Sequence, residues 1–223
     1  MKRQRGFPAT FLLAAFTVLS GALAHASPSR AAPPERAFKL VALGDSLSAG
    51  YGLPDSAAFP NVLGRALRAK GYKVEIANAG VSGDTSSGGL DRLDWSVPEG
   101  TDGVILELGA NDMLRGLDPA VTKRALETIV QRLRARGIPV LLAGMLASRN
   151  MGPEYGERFE AIFRDLARQY DLVLYPFFLE GVAGERALNL PDGIHPTAQG
   201  VERIVERMLP TVERFLDRIA RRG

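Results

Sequence analysis

Ser46, Asp192 and His195 are the side chains of this sequence that could together carry out nucleophilic chemistry. A serine hydroxyl becomes a useful nucleophile when an imidazole takes its proton. The imidazole works best when a carboxylate fixes its tautomer and stabilises the imidazolium that forms. Asp192-Gly193-Ile194-His195-Pro196 sets a carboxylate three residues before the ring, with Gly193 allowing a tight backbone turn. Ser46 lies in Gly44-Asp45-Ser46-Leu47, immediately after a strand-like run. Each piece alone has an ordinary explanation: a serine after a strand caps a turn or helix, and an aspartate can simply start a turn. The serine segment is also not a G-x-S-x-G elbow, because position 48 is serine.

Attack on an ester carbonyl develops an oxyanion, which needs preorganised donors. Gly83, in Val81-Ser82-Gly83-Asp84-Thr85, can present its backbone N–H with no side chain in the way, and Asn111 offers a side-chain amide. Turn chemistry and a helix cap at Asp84 or Thr85 explain the same residues without catalysis. A hydrolytic metal site is excluded on composition: the chain has two histidines and no cysteine. No cofactor is called for.

The elements that must hold these residues alternate in type. Short apolar or β-branched runs at Phe38–Leu43, Val74–Ala79, Val104–Leu108, Val140–Ala143 and Leu172–Tyr175 read as strands buried on both faces. Between them, helical patterns cover Phe59–Lys70, Ser87–Asp94, Pro119–Arg136, Tyr155–Tyr170 and Ala198–Arg221. In the third, Ala125, Ile129 and Leu133 recur at i, i+4 spacing, Asp118 is the expected N-cap, and Pro119 fits the first turn. Gly71 and Gly137 stand just past helix ends, as C-terminal caps do. This alternation predicts an α/β fold with a parallel sheet and helices on both faces. Ligands then bind beyond the carboxyl ends of the strands. The turns at Gly44–Ser46, Gly80–Asp84 and Gly109–Asp112 all fall at that edge.

The first 26 residues are expected to be a signal peptide. Lys2, Arg3 and Arg5 form a positive n-region, Phe11–Ala24 is an uncharged apolar stretch, and Ala24-His25-Ala26 supplies a cleavage pattern. A transmembrane anchor would need about 20 apolar residues, and Pro8 shortens what is available. Residues 27–36 read as a flexible Pro/Ala/Ser lead-in, and 37–223 as a single domain. Cleavage removes three of the 28 cations and no acid, leaving 25 of each sign. The basic precursor therefore implies no nucleic-acid partner. Cleavage also removes His25, so His195 becomes the only imidazole. An exported protein, periplasmic or secreted, with no membrane span after cleavage is expected, and a monomer by default.

In order along the chain, Gly44-Asp45-Ser46-Leu47, Gly83, Gly109-Ala110-Asn111-Asp112 and Asp192-Gly193-Ile194-His195-Pro196 match the four blocks of the SGNH (GDSL) hydrolases. The resemblance spans essentially all of residues 37–223. It is nearest the branch of acyl-CoA thioesterase I, lysophospholipase L1 and arylesterase, through Asn78–Thr85, Asn111–Gly116 and Met145–Gly152. It implies a flavodoxin-like three-layer α/β/α fold with a five-stranded parallel sheet and a nucleophile at Ser46. It further implies oxyanion donors at Ser46, Gly83 and Asn111, and a triad completed by Asp192 and His195. The substrate implied is a small acyl (thio)ester, lysophospholipids among them. The acyl groove is expected at Met113, Leu114, Leu117, Met145, Leu146 and Met151; methionines there suit varied chains. Met113 replaces a frequent glycine and Ser148 a frequent proline, which bears on chain length rather than catalysis. The alternatives are a carbohydrate O-acetyl esterase on this scaffold, which would want polar, aromatic groove loops, and a non-catalytic lipid- or glycan-binding module.

Overall fold

The computed structural model describes Met1 and residues 36–222. The expected signal peptide and the lead-in up to residue 35 lie outside the described residues. Five strands form one sheet: β1 (Phe38–Gly44), β2 (Val74–Gly80), β3 (Gly103–Glu107), β4 (Val140–Ala143) and β5 (Val173–Tyr175). All pairings are parallel and the spatial order is β2-β1-β3-β4-β5. The order reverses at β1, so a crevice opens between the carboxyl ends of β1 and β3, where α/β sheets bind ligands.

Among the described residues, eight α-helices connect and cover the strands: α1 (Ser46–Ala49), α2 (Phe59–Ala69), α3 (Ser86–Asp91), α4 (Leu93–Ser96), α5 (Ala110–Leu114), α6 (Pro119–Ala135), α7 (Pro153–Tyr170) and α8 (Ala198–Ala220). Helix α2 packs on α8, whereas α6 packs between α3 and α7. These sets follow the right-handed crossovers that place helices on the two faces of a parallel sheet. Leu63 and Leu67 of α2 are buried, as are Val205, Met208 and Phe215 of α8. Ile129 and Leu133 of α6 and Phe159 and Phe163 of α7 are buried likewise. Asp118 accepts from the Ala120 N–H at 3.0 Å and so caps α6 as its position before Pro119 predicts. Gly71 and Gly137 take the left-handed backbone, with φ of +88° and +72°.

Two expectations need correction. The central strands β1, β3 and β4 are buried almost throughout, but β2 and β5 are not. Both are edge strands, so an apolar run there meets helices on less of its surface. The turn expected at Gly44–Ser46 runs directly into a helix: Ser46 begins the short α1. The turn holding Asn111 is likewise the short helix α5.

Candidate active site

Ser46 owes its position to Asp45. The Asp45 side chain accepts from the Leu47 N–H at 3.0 Å and caps α1, whose last turn closes on Gly50 at φ +81°. This sharp strand-to-helix turn sets Ser46 at the first helical position, where its N–H has no intrahelical acceptor. Two glycines make the turn sterically possible. A methyl group on Gly44 would lie 2.1 Å from Ser48 Oγ and 2.6 Å from Glu107 Oε2. One on Gly80 would lie 2.3 Å from the Ala49 backbone nitrogen.

Asp192 and His195 come from the connection between β5 and α8. The Leu190 N–H donates to the His195 carbonyl at 2.7 Å, and residues 189 and 196 form an antiparallel bridge around them. Buried Asn189 anchors this loop by donating to the carbonyls of Val182 and Glu185, at 2.7 and 2.9 Å. Inside the loop, Asp192 Oδ1 accepts from the N–H groups of Ile194 and His195, and Oδ2 lies 2.7 Å from His195 Nδ1. The His195 N–H, then the ring and the Ile194 N–H, hold the Asp192 carboxyl at about 2, so it is ionised near neutrality. An ionised partner requires a proton on Nδ1. The lone pair of Nε2 then faces Ser46 Oγ, 2.9 Å away. Hydroxyl, imidazole and carboxylate form one continuous proton path.

The remaining sequence candidates sit around Ser46. Gly83 adopts φ +87°, and its N–H has no acceptor among the described residues. Its carbonyl accepts from Arg115 at 2.6 Å. Asn111 Nδ2 donates to Asp45 Oδ2 at 3.1 Å and to the Asp84 carbonyl at 2.9 Å, so both its amide hydrogens are already engaged. An oxyanion would be received from this group by exchange for one of those acceptors.

A cleft of about 680 Å³ opens beside Ser46, within the range of ligand sites. Of the residues expected at an acyl groove, Met113, Leu114, Met145 and Leu146 line it. Leu117 and Met151 do not. After Leu114 the chain turns at Gly116, φ +66°, and the Leu117 carbonyl accepts from Tyr155 on α7. Met151 lines a separate depression with Glu154, Tyr155 and Arg158. Phe177, Leu179 and Ile194 complete the cleft instead. The apolar run Phe177-Phe178-Leu179 was the available signal for two of them, though Phe178 is buried in the core.

Sequence reasoning also passed over the buried polar support. Asp45 and Glu107 are fully buried. Burial pushes the Asp45 carboxyl up to about 6, against the hydrogen bonds from Leu47 and Asn111. Burial, then the neighbouring Asp45, hold Glu107 well above the carboxylate range, and Ser48 Oγ donates to it at 2.8 Å. Arg92 donates to Asp84 at 2.6 Å and to the Ala79 and Gly44 carbonyls at 2.8 Å each, clamping the ends of β1 and β2. Tyr51 lies against the His195 ring with centroids 4.4 Å apart. Among the described residues, no group of three His, Asp or Glu could hold a metal ion.

Residues 42–203 match the family model described as GDSL-like Lipase/Acylhydrolase family. The chain belongs to that family. It is similar to the esterase TesA of Pseudomonas aeruginosa, 40% identical over 89% of this chain and 98% of that one. It is 39% identical to thioesterase 1/protease 1/lysophospholipase L1 of Escherichia coli K12, over 76% and 80% of the two chains. Among solved structures, that of TesA superposes with a TM-score of 0.74 at 41% identity, covering 78% of this chain and 97% of that one. The SGNH-hydrolase esterase AlinE4 gives 0.68 at 44%, covering 81% and 97%. The GDSL-like chain is thus an ester-hydrolysing α/β enzyme of the SGNH fold.

Proposed function

We propose that this enzyme cleaves carboxylic esters and thioesters of acyl chains through an acyl-Ser46 intermediate. The observation that carries the reading is the unbroken path from Ser46 Oγ through His195 to Asp192, opening onto an apolar cleft. His195 Nε2 takes the Ser46 proton as Oγ adds to the carbonyl carbon. The oxyanion is held by the N–H groups of Ser46 and Gly83 and by the Asn111 amide. Collapse expels the alcohol or thiol, which takes the proton back from His195. A water deprotonated by His195 then hydrolyses the acyl-enzyme.

The apolar lining supports an acyl chain over a carbohydrate, and the names of its relatives support aryl esters, acyl thioesters and lysophospholipids as substrates. No cofactor enters this reading, since nucleophile, base and oxyanion donors are all protein groups. The apolar stretch behind Lys2, Arg3 and Arg5 supports export and periplasmic action.

The test is hydrolysis of soluble short-chain p-nitrophenyl esters. Ser46→Ala removes turnover with the fold intact by circular dichroism, and a fluorophosphonate labels the parent but not the variant. Asn111→Ala lowers kcat by about 10²–10³, as loss of one oxyanion donor does elsewhere. Substantial hydrolysis by Ser46→Ala sinks the assignment.

A further inference from the structure

Six large apolar residues between 36 and 222 stand exposed: Tyr51, Val81, Trp95, Leu114, Leu146 and Ile194. Trp95 stands apart on α4, which leads back toward the amino end of β3. Each of the others belongs to a different connection at the carboxyl edge of the sheet. Tyr51 follows β1, Val81 follows β2, Leu114 follows β3, Leu146 follows β4, and Ile194 lies between β5 and α8. They are 40–52% exposed. A single exposed leucine needs no explanation, but one such residue per connection around one crevice is an organised surface.

This rim is continuous with the acyl cleft. Leu114, Leu146 and Ile194 line the mouth, and Tyr51 covers the His195 ring. Cations accompany it. Arg115 follows Leu114 and donates one guanidinium N–H to the Gly83 carbonyl, and exposed Arg149 lines the mouth with its guanidinium making no hydrogen bond or ion pair to another described residue. Of the acids near Ser46, Asp84 is paired with Arg92, and Asp192 is turned onto the His195 ring and the N–H groups of Ile194 and His195.

We propose that the rim docks this enzyme on a lipid surface carrying anionic headgroups. The proposal rests on the acyl-ester reading of the cleft. An aggregated acyl ester keeps its chain in the apolar interior and its ester near the headgroups. A cleft mouth ringed by apolar side chains receives that chain without exposing it to water, while Arg149 and Arg115 face the headgroup charge. Binding of this kind scales with the apolar area inserted and the attraction to anionic lipid.

The experiment uses the Ser46→Ala chain, so that binding is read without hydrolysis. It co-sediments with vesicles of phosphatidylcholine containing phosphatidylglycerol, and more weakly with phosphatidylcholine alone. Adding Val81→Asp weakens binding about tenfold or more, as loss of an aliphatic anchor implies, whereas Trp95→Ala leaves it unchanged. The sequence has one tryptophan, so a Trp95→Phe, Ile194→Trp version reports insertion by a blue shift of emission. No binding to either vesicle, equal binding to both, or equal loss in the Trp95 and Val81 variants overturns the proposal. So does a dimer in sedimentation velocity that Val81→Asp dissociates without vesicle binding, which assigns the rim to a second copy. Hydrolysis of soluble esters by the parent, and its loss in Ser46→Ala, tests the acyl-ester reading separately.

Discussion

The Asp45 carboxylate joins the two halves of the site, accepting from the Leu47 N–H at 3.0 Å on one oxygen and from Asn111 Nδ2 at 3.1 Å on the other. One residue thus orients both the turn that carries Ser46, the proposed nucleophile, and the Asn111 amide, the proposed oxyanion donor. Asp45→Asn keeps an oxygen for the Leu47 N–H but turns an N–H₂ toward Asn111, setting donor against donor. The expected result is a fall in kcat of about 10–100-fold with KM for a short ester little changed, because misplacement of a catalytic group acts on the chemical step. Equal kcat in parent and variant removes Asp45 from the positioning of Asn111.

The same substitution has a stability signature of opposite sign. Burial raises the Asp45 carboxyl from 3.8 to about 6, so the native state binds this proton more tightly than the unfolded chain does. Stability is then lost as pH rises between those values, and the whole cost is present above pH 6. The cost is that of holding an ionised carboxylate out of water in the folded state. Asp45→Asn carries no such cost. Its melting temperature relative to the parent should therefore be higher at pH 8 than at pH 4. A difference independent of pH shows that Asp45 titrates normally.

The sheet, its order of elements and the family's sequence blocks were legible because they rest on local patterns. Apolar runs such as Val140–Ala143 and the cap Asp118-Pro119 announce themselves within a few residues. The buried carboxyls did not. Glu107 ends an apolar strand, and nothing near it in sequence shows that its partners are Ser48 and Asp45, some sixty residues earlier. Groove membership failed for a related reason. Leu117 and Met151 lie in the right segments, but the turn at Gly116 and the Tyr155 hydroxyl hold Leu117 away from the cleft, and Met151 lines the depression beside Glu154 and Arg158.

Gly44 and Gly80 are register partners at the ends of β1 and β2, yet alanine at each should differ in effect. At Gly44 the added methyl meets the side chains of Ser48 and Glu107, which can shift at the expense of their mutual hydrogen bond. At Gly80 it meets the backbone of Ala49 and Asp45, which cannot shift without displacing Ser46. Overpacking costs about 1–3 kcal/mol where relaxation is possible. Gly44→Ala should fall in that range by urea denaturation, and Gly80→Ala above it. The reverse order would show that α1 moves more easily than Glu107.

If the acyl chain lies in the cleft, as proposed, its lining sets chain length, and Met113 and Phe177 offer a sharp comparison. Met113 is packed between the core and the cleft, 8% exposed, on the helix that also carries Asn111. Phe177 enters the same cleft from the segment after β5. Enlarging the first, as Met113→Phe, fills space an acyl chain would use. Truncating the second, as Phe177→Ala, extends it. Each added methylene of substrate buried is worth about 0.8 kcal/mol, or roughly fourfold in kcat/KM. Along a series of p-nitrophenyl esters the optimum should therefore shift to shorter chains in Met113→Phe and to longer ones in Phe177→Ala. Met151→Ala, which enlarges the depression beside Glu154 and Arg158 and not the cleft beside Ser46, should leave the profile unchanged. A shifted optimum in Met151→Ala, with none in the other two, would place the acyl chain outside the cleft beside Ser46.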